Sequence, residues 1–244
     1  MALPSSAPVR PVVGRVNNLI RRLPFVGNPA ARLRRLIKQR HFVSSADYWR
    51  SNYAAGGTSG PGSYGALAQY KADTISRLLK VYGIKSVVEF GCGDGHQASL
   101  IDYPHYLGLD ISIEAVDLCR CKLADRDQSS CELYRPGQAG SYRAVADAAV
   151  SLDVIFHLVE DDVYEQYLAD LFASATRYVI LYTSDADDWH LESSTPEVRH
   201  RPVKRDIARF FKDWACIFEE DNPHKAFDSP NTSSFARFTV YGRL

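Results

Sequence analysis

No stretch of this 244-residue chain approaches the roughly 18 consecutive apolar positions that a membrane-spanning helix needs. An even set of regularly spaced cysteines is also missing. The five present, Cys92, Cys119, Cys121, Cys131 and Cys216, are odd in number and mostly set in apolar runs, which argues against a disulfide framework and fits a reducing, cytoplasmic compartment. Cys119 and Cys121 lack the two-residue spacer of zinc or redox pairs and read as small core side chains. Acids are absent from the first 40 residues, where nine basic residues run from Arg10 to Arg40 before the first carboxylate at Asp47. Because the whole chain balances 29 basic against 29 acidic residues, the remainder is acidic by the same nine.

The charge asymmetry divides the chain into a basic N-terminal extension, residues 1–45, and a body, residues 46–244. In the extension, Leu19-Ile20, Leu23, Phe25-Val26, Leu33 and Leu36-Ile37 alternate with arginines and are interrupted by Pro24 and Pro29. This is the pattern of one or two short basic amphipathic helices, and peripheral contact with an anionic membrane surface through residues 14–40 is the expectation it carries. A tail resting on the acidic body, or an organelle transit peptide, fits the same composition. With 45% apolar and 24% charged residues, the body is expected to form one domain.

Within the body, the apolar pair Val87-Val88 leads into Glu89-Phe90-Gly91-Cys92-Gly93-Asp94-Gly95, and a second apolar run, Tyr106-Leu107-Gly108-Leu109, ends in Asp110. A strand, a glycine turn and an acid about 20 residues on are the parts of a nucleoside site. A dinucleotide fold would place a third glycine where this chain has His96, and its pyrophosphate would want a basic residue that this turn lacks. Glu89 and Asp94 instead suit a ligand carrying an ammonium and a sulfonium.

On these residues, and on Ala146 to Leu158 with its Asp153-Val154-Ile155-Phe156-His157-Leu158 run, the chain resembles the class I SAM-dependent methyltransferases. The resemblance covers residues 84–183 well and the flanks loosely. It implies S-adenosyl-L-methionine as cofactor, with Gly91, Gly93 and Gly95 at its methionine end and Glu89 as the motif acid. It further implies that Asp110 binds the ribose hydroxyls, that Ile111 packs on the adenine with Ser112 beside it, and that Asp153 stands in the cofactor set. Where the family carries an acid or small polar residue near the adenine amino group, this chain reads Tyr134-Arg135-Pro136-Gly137-Gln138, so Gln138 or a backbone group is the expected contact. The glycine-rich stretch Gly56 to Gly65 falls where the family often folds a lid over the cofactor, so residues 46–82 are expected to supply it, with Tyr48, Tyr53 and Tyr64 as candidate contacts.

The rest of the body alternates strand and helix patterns, which means a mostly parallel sheet with helices on both faces and ligands at the carboxyl ends of its strands. Strands are expected at 85–90, 105–109, 131–134, 147–152 and 177–183, and helices near 95–101 and at 112–125 and 160–175. In the last, Tyr164, Leu168, Leu171, Phe172 and Ala175 form one apolar stripe. A basic helix at 202–213 and two late β-like runs suggest a seven-stranded, Rossmann-like sheet closed by antiparallel addition at its edge.

For the chemistry, His157 is the favoured general base, with Asp153 four residues earlier sharing a helical face and orienting it. His200, among basic neighbours, is the second candidate and His190 the third. Asp153, His157, Glu160 and Asp161 offer magnesium ligands, but three acids opening a helix are favourable to its dipole without a metal, and none is assigned. With an acidic body, nucleic acid is not the expected partner. The combined pattern is similar to bacterial methyltransferases associated with glycan and secondary-metabolite assembly. The expected reaction is methylation of a hydroxyl on a sugar, glycan or other small metabolite, alongside two alternatives: an N-methyltransferase of, for example, an amino sugar, and a non-catalytic SAM-binding subunit.

Overall fold

A computed structural model describes residues 42–137, 146–186, 195–224 and 234–244. The basic extension up to residue 41, Gln138 and His190 lie outside them. The described elements run α1 (Ser45–Ala54), α2 (Gly65–Tyr82), β1 (Val87–Phe90), α3 (His96–Ser99), β2 (Tyr106–Asp110), α4 (Ile113–Lys122) and β3 (Ser129–Leu133). They continue with β4 (Ala146–Leu152), a 3-10 turn (Ile155–His157), α5 (Asp161–Ser174), β5 (Ala175–Thr183), α6 (Val203–Phe210), β6 (Trp214–Asp221) and β7 (Arg237–Arg243).

The seven strands form one sheet in the order β3-β2-β1-β4-β5-β7-β6. The first five are parallel, and β7 pairs antiparallel with both β5 and β6. Successive residues of a strand point to opposite faces, so each face has its own core. Val87, Ala148, Val150, Ile180, Tyr182, Phe238 and Val240 meet α2, α3 and α4 on one side. Val88, Ala149, Val179, Leu181 and Tyr241 meet α5 and α6 on the other. The expected stripe of α5 is buried as a unit, from Tyr164 to Ala175. Helix α2, included in the expected lid, is instead core: Leu67, Ile75, Leu78 and Leu79 are buried and Gly83 ends it in the left-handed conformation.

The strand order reverses direction at β1, between β2 and β4, and this is where open α/β sheets form a crevice at their carboxyl ends. Under that crevice lies Glu89, on the α2 face of β1, 2% exposed and accepting a hydrogen bond from the Tyr106 hydroxyl at 2.7 Å. Burial raises its carboxyl to about 7, against the lowering effects of the Tyr106 donation and the Lys71 charge.

An acid whose folded value lies above its unfolded one keeps its proton longer in the folded state, so stability falls as pH rises between about 4.5 and 7. Chemical denaturation should show Glu89 contributing a loss of about 3 kcal/mol across that window. Glu89→Gln, which can still accept from Tyr106, should lack that loss and be more stable than the native chain at pH 8. Identical pH slopes for the two proteins would remove this assignment.

Candidate functional site

A cleft enclosing about 860 Å³ of empty space, its open mouth included, lies over the carboxyl ends of β1, β2 and β4. Its floor is the turn after β1. Gly91, Gly93 and Gly95 all take positive φ, at 82°, 56° and 75°. None of the three positions leaves room for a side chain: a Cβ on Gly91 would stand 2.3 Å from Val154 Cγ2, one on Gly93 2.3 Å from Ser59 Oγ and 2.8 Å from the Tyr53 hydroxyl, and one on Gly95 2.9 Å from Cys119 Cα. Gly91 and Gly93 line the cleft, while Gly95 does not and backs onto Cys119 of α4.

Asp110, at the end of β2, is tied to this turn by the Gly93 amide, which donates to Oδ2 at 2.9 Å, while Ser112 N–H donates to Oδ1 at 3.0 Å. Burial raises its carboxyl, and those backbone donations work against the rise. Asp110 and Ile111 line the cleft, joined by Tyr134 and Pro136 beyond β3. Ser112 is fully buried and caps α4, accepting from Ala115 N–H. It supports Asp110 rather than facing the cleft.

The cover comes from residues 45–63. Ser45 donates through its amide and its hydroxyl to the two carboxylate oxygens of Glu160, at 2.8 and 2.6 Å, and Val159 N–H donates back to Ser45 Oγ. This fastens the start of α1 beside α5, and Ser45, Ala46, Trp49 and Tyr53 close the cleft from above. Ser59 joins cover to floor by accepting from the Asp94 amide at 3.1 Å and bonding the Tyr53 hydroxyl at 2.8 Å.

Tyr64 and Asp94 serve this junction and do not line the cleft. The Tyr64 hydroxyl donates to Asp94, and its ring stacks on His96. Burial and that carboxylate push Tyr64 up to about 12. Asp94 is held below the usual carboxyl range: burial opposes this, but donations from Tyr64, the His96 amide and Ser59 outweigh it. Glu89 likewise lies beneath the floor, bonded to Tyr106, so the motif acid does not face the cleft in this arrangement.

The fourth strand brings Asp153, Val154 and His157 to the cleft wall. The expected Asp153 to His157 contact is not formed. Asp153 has a φ of 60°, the one positive value outside glycine among the described residues, and Ile155–His157 form a 3-10 turn, so the two side chains do not share a helical face. Lys71 holds Asp153 instead, with Nζ 2.5 Å from Oδ2. His157 Nδ1 lies 2.9 Å from the Glu197 carbonyl, which as an obligate acceptor makes Nδ1 the protonated nitrogen and leaves Nε2 with a lone pair. Its ring packs edge-on against Trp49 at 4.9 Å, and burial lowers its basicity below the usual imidazole range, so it is neutral at pH 7.

His200 is not a cleft residue. Its Nδ1 bonds Ser184 Oγ at 2.7 Å and its ring meets Phe235. The four groups weighed as magnesium ligands are separately engaged: Asp153 by Lys71, His157 by Glu197, Glu160 by Ser45, and Asp161 by Arg199 and Arg201. Among the described residues, the ligand-bearing side chains that do converge are the buried thiols of Cys92, Cys119 and Cys131, within 4.8 Å of one another. Sequence spacing could not show that convergence, because a turn, a helix and a strand each supply one thiol. Lys71, Ser45 and Tyr167 were missed for the same reason.

No lysine or arginine is among the described residues lining the cleft, whereas two carboxylates are. With the Cβ-free turn and Asp110 beside it, that inventory fits the positively charged nucleoside S-adenosylmethionine and not a pyrophosphate.

No family model and no curated protein matches the sequence. Solved structures do match. The methyltransferase domain of bacterial CtHen1-C aligns at 18% identity over 72% of this chain and 97% of its own, with a TM-score of 0.56. Magnesium protoporphyrin IX methyltransferase from Synechocystis PCC 6803 with bound SAM aligns at 15% identity over 86% and 96%, with a TM-score of 0.55. The N-methyltransferase NodS from Bradyrhizobium japonicum WM9 aligns at 8% identity over 73% and 97%, with a TM-score of 0.54. In strand order, mixed sheet and chain coverage, the fold is that of the class I SAM-dependent methyltransferases.

Proposed function

We propose that the protein is a SAM-dependent methyltransferase acting on a hydroxyl of a small acceptor such as a sugar, a glycan or another metabolite. The observation that carries the methyl donor is the Asp110 carboxylate fixed by the Gly93 amide at the rim of a Cβ-free turn. The structure of the Synechocystis enzyme with bound SAM supports the same cofactor on the same fold.

The cofactor supplies an activated methyl group on a sulfonium. Asp110 would hold the ribose hydroxyls, Ile111, Tyr134 and Pro136 would flank the adenine, and Trp49 and Tyr53 would exclude water from above. His157 supports the hydroxyl acceptor: its Nε2 has no partner among the described residues, and the ring is neutral and therefore able to accept a proton. With an acceptor hydroxyl set against that methyl group, His157 would take the acceptor's proton at Nε2 as the methyl group is transferred. The N-methyltransferase NodS on the same fold keeps nitrogen as a second reading of the acceptor.

S-adenosylhomocysteine should bind the protein in calorimetry, and Asp110→Ala and Gly93→Val should each abolish that binding. The methyl-donor assignment fails if both variants bind as tightly as the native chain. With a hydroxyl acceptor in hand, His157→Gln should lower kcat by about 10² to 10⁴ while leaving S-adenosylhomocysteine affinity nearly unchanged. Full turnover in that variant would exclude His157 as the base. Binding without turnover of any hydroxyl or amine acceptor would point to the non-catalytic subunit.

A further inference from the structure

The five cysteines are not equivalent. Cys121 and Cys216 are exposed, whereas Cys92, Cys119 and Cys131 are buried with their sulfurs within 4.8 Å of one another. Cys92 comes from the turn after β1, Cys119 from the last turn of α4 and Cys131 from the middle of β3. Cys92 does not line the cleft, so the cluster lies behind the nucleoside turn and outside the site described above.

The register of the sheet brings the three together. Across β3, β2 and β1 it sets Cys131, Gly108 and Glu89 side by side. Neighbours in register share a face, so the missing side chain at Gly108 leaves a gap between Cys131 and Glu89. Cys92 fills that gap: a Cβ on Gly108 would stand 2.9 Å from Cys92 Cβ and 3.0 Å from its Sγ. Gly95 makes the same room for Cys119, whose Sγ lies 3.0 Å from where a Cβ on Gly95 would stand. A glycine inside a strand weakens it, and what Gly108 admits in return is a thiol. The Cys119 and Cys92 thiols both bond toward Cys131 and hold it below the usual thiol range, so the sulfurs face one another.

The donor set selects the ligand. Three sulfurs around one centre, with metal–sulfur bonds of about 2.3 Å, stand about 4.0 Å apart, which is inside the spacing found here. Magnesium and calcium want oxygen ligands. Zinc in a closed site takes four ligands and iron–sulfur clusters take four cysteines, but no histidine or carboxylate among the described residues joins these three. Copper(I) is soft, prefers thiolate, and is satisfied by three sulfurs. Arg120, whose Nε donates to the Cys131 carbonyl at 2.8 Å, sets a positive charge beside the thiolates. We propose that Cys92, Cys119 and Cys131 bind one copper(I) ion in a closed three-sulfur site that ties the nucleoside turn to α4 and β3. Binding exchanges S–H bonds for Cu–S bonds, releases the thiol protons to solvent and transfers no electron. β3 is an edge strand, so its local opening gives the ion a way in. The site does not depend on the methyl-donor reading.

The test uses the full chain with Cys121→Ser and Cys216→Ser, which removes the exposed thiols. Reduced and titrated without oxygen with copper(I) buffered by bicinchoninate, it should take up one equivalent, and X-ray absorption should show three sulfur neighbours on copper. Its unfolding midpoint should rise by about 5 °C or more once free copper(I) is well above Kd. Adding Cys131→Ala should remove both the uptake and the rise, and Cys119→Ala should do the same and serves if the first variant does not fold. No uptake by the parent chain, or unchanged uptake in both alanine variants, would overturn the proposal. One equivalent of zinc held in preference to copper would overturn it too, as would a parent chain that takes up no copper and loses two hydrogens in mass on exposure to air, which would make two of the thiols a disulfide pair.

Discussion

The hydrogen bond from the Gly93 amide to Asp110 joins the end of β1 to the end of β2 across the point where the strand order reverses. It can form only because the chain between β1 and α3 passes through three left-handed glycines, which bring the backbone against Val154, Ser59 and Cys119 with no Cβ to intervene. Every other part of the cleft is placed relative to this bond. The cover reaches the turn through Ser59, the Gly93 and Ser112 amides hold the Asp110 carboxylate at the cleft, and Val154 brings the chain after β4 up against Gly91.

Around that junction the protein concentrates charge in a region that excludes water. Glu89, Asp110 and Lys71 are all buried, and Asp153 is half-buried. Such groups are tolerated where each has a partner: Tyr106 for Glu89, backbone amides for Asp110, and Lys71 for Asp153. Glu89 shows the remaining cost, since burial drives its carboxyl up to about 7 even with Tyr106 and Lys71 nearby. Lys71 pairs with the cleft-facing carboxylate of Asp153, and its charge also acts on the sunken Glu89.

The cover and the wall are also mechanically one unit. Glu160 holds the start of α1 by two hydrogen bonds, and Asp161 beside it holds Arg199 and Arg201, whose segment supplies the Glu197 carbonyl to His157. The acids that open α5 are thus fasteners for two flanking segments. Their favourable interaction with the helix dipole is an added effect.

Much of the fold was legible because it is written in local pattern: the α5 stripe, the succession of strand and helix patterns along the body, and the glycine spacing after β1 each determine a backbone conformation within a few residues. Asp110 was legible too, since a strand's end and a tight turn place it without reference to distant chain. The partners of the chemical groups were not. Lys71 and Asp153 are 82 residues apart, and His157 and Glu197 are 40 apart, so their pairing depends on which strand lies beside which and on how α2 crosses the sheet. Helical spacing suggested that Asp153 would serve His157, but a left-handed residue at 153 and a 3-10 turn over Ile155–His157 broke that spacing, and Lys71 took the carboxylate. The amino-acid sequence by itself determined the order of elements and the nucleoside-binding turn, because backbone propensity and steric allowance act over short range. Only the tertiary structure decided which charges meet in the cleft, because desolvation and pairing depend on what the whole sheet brings together.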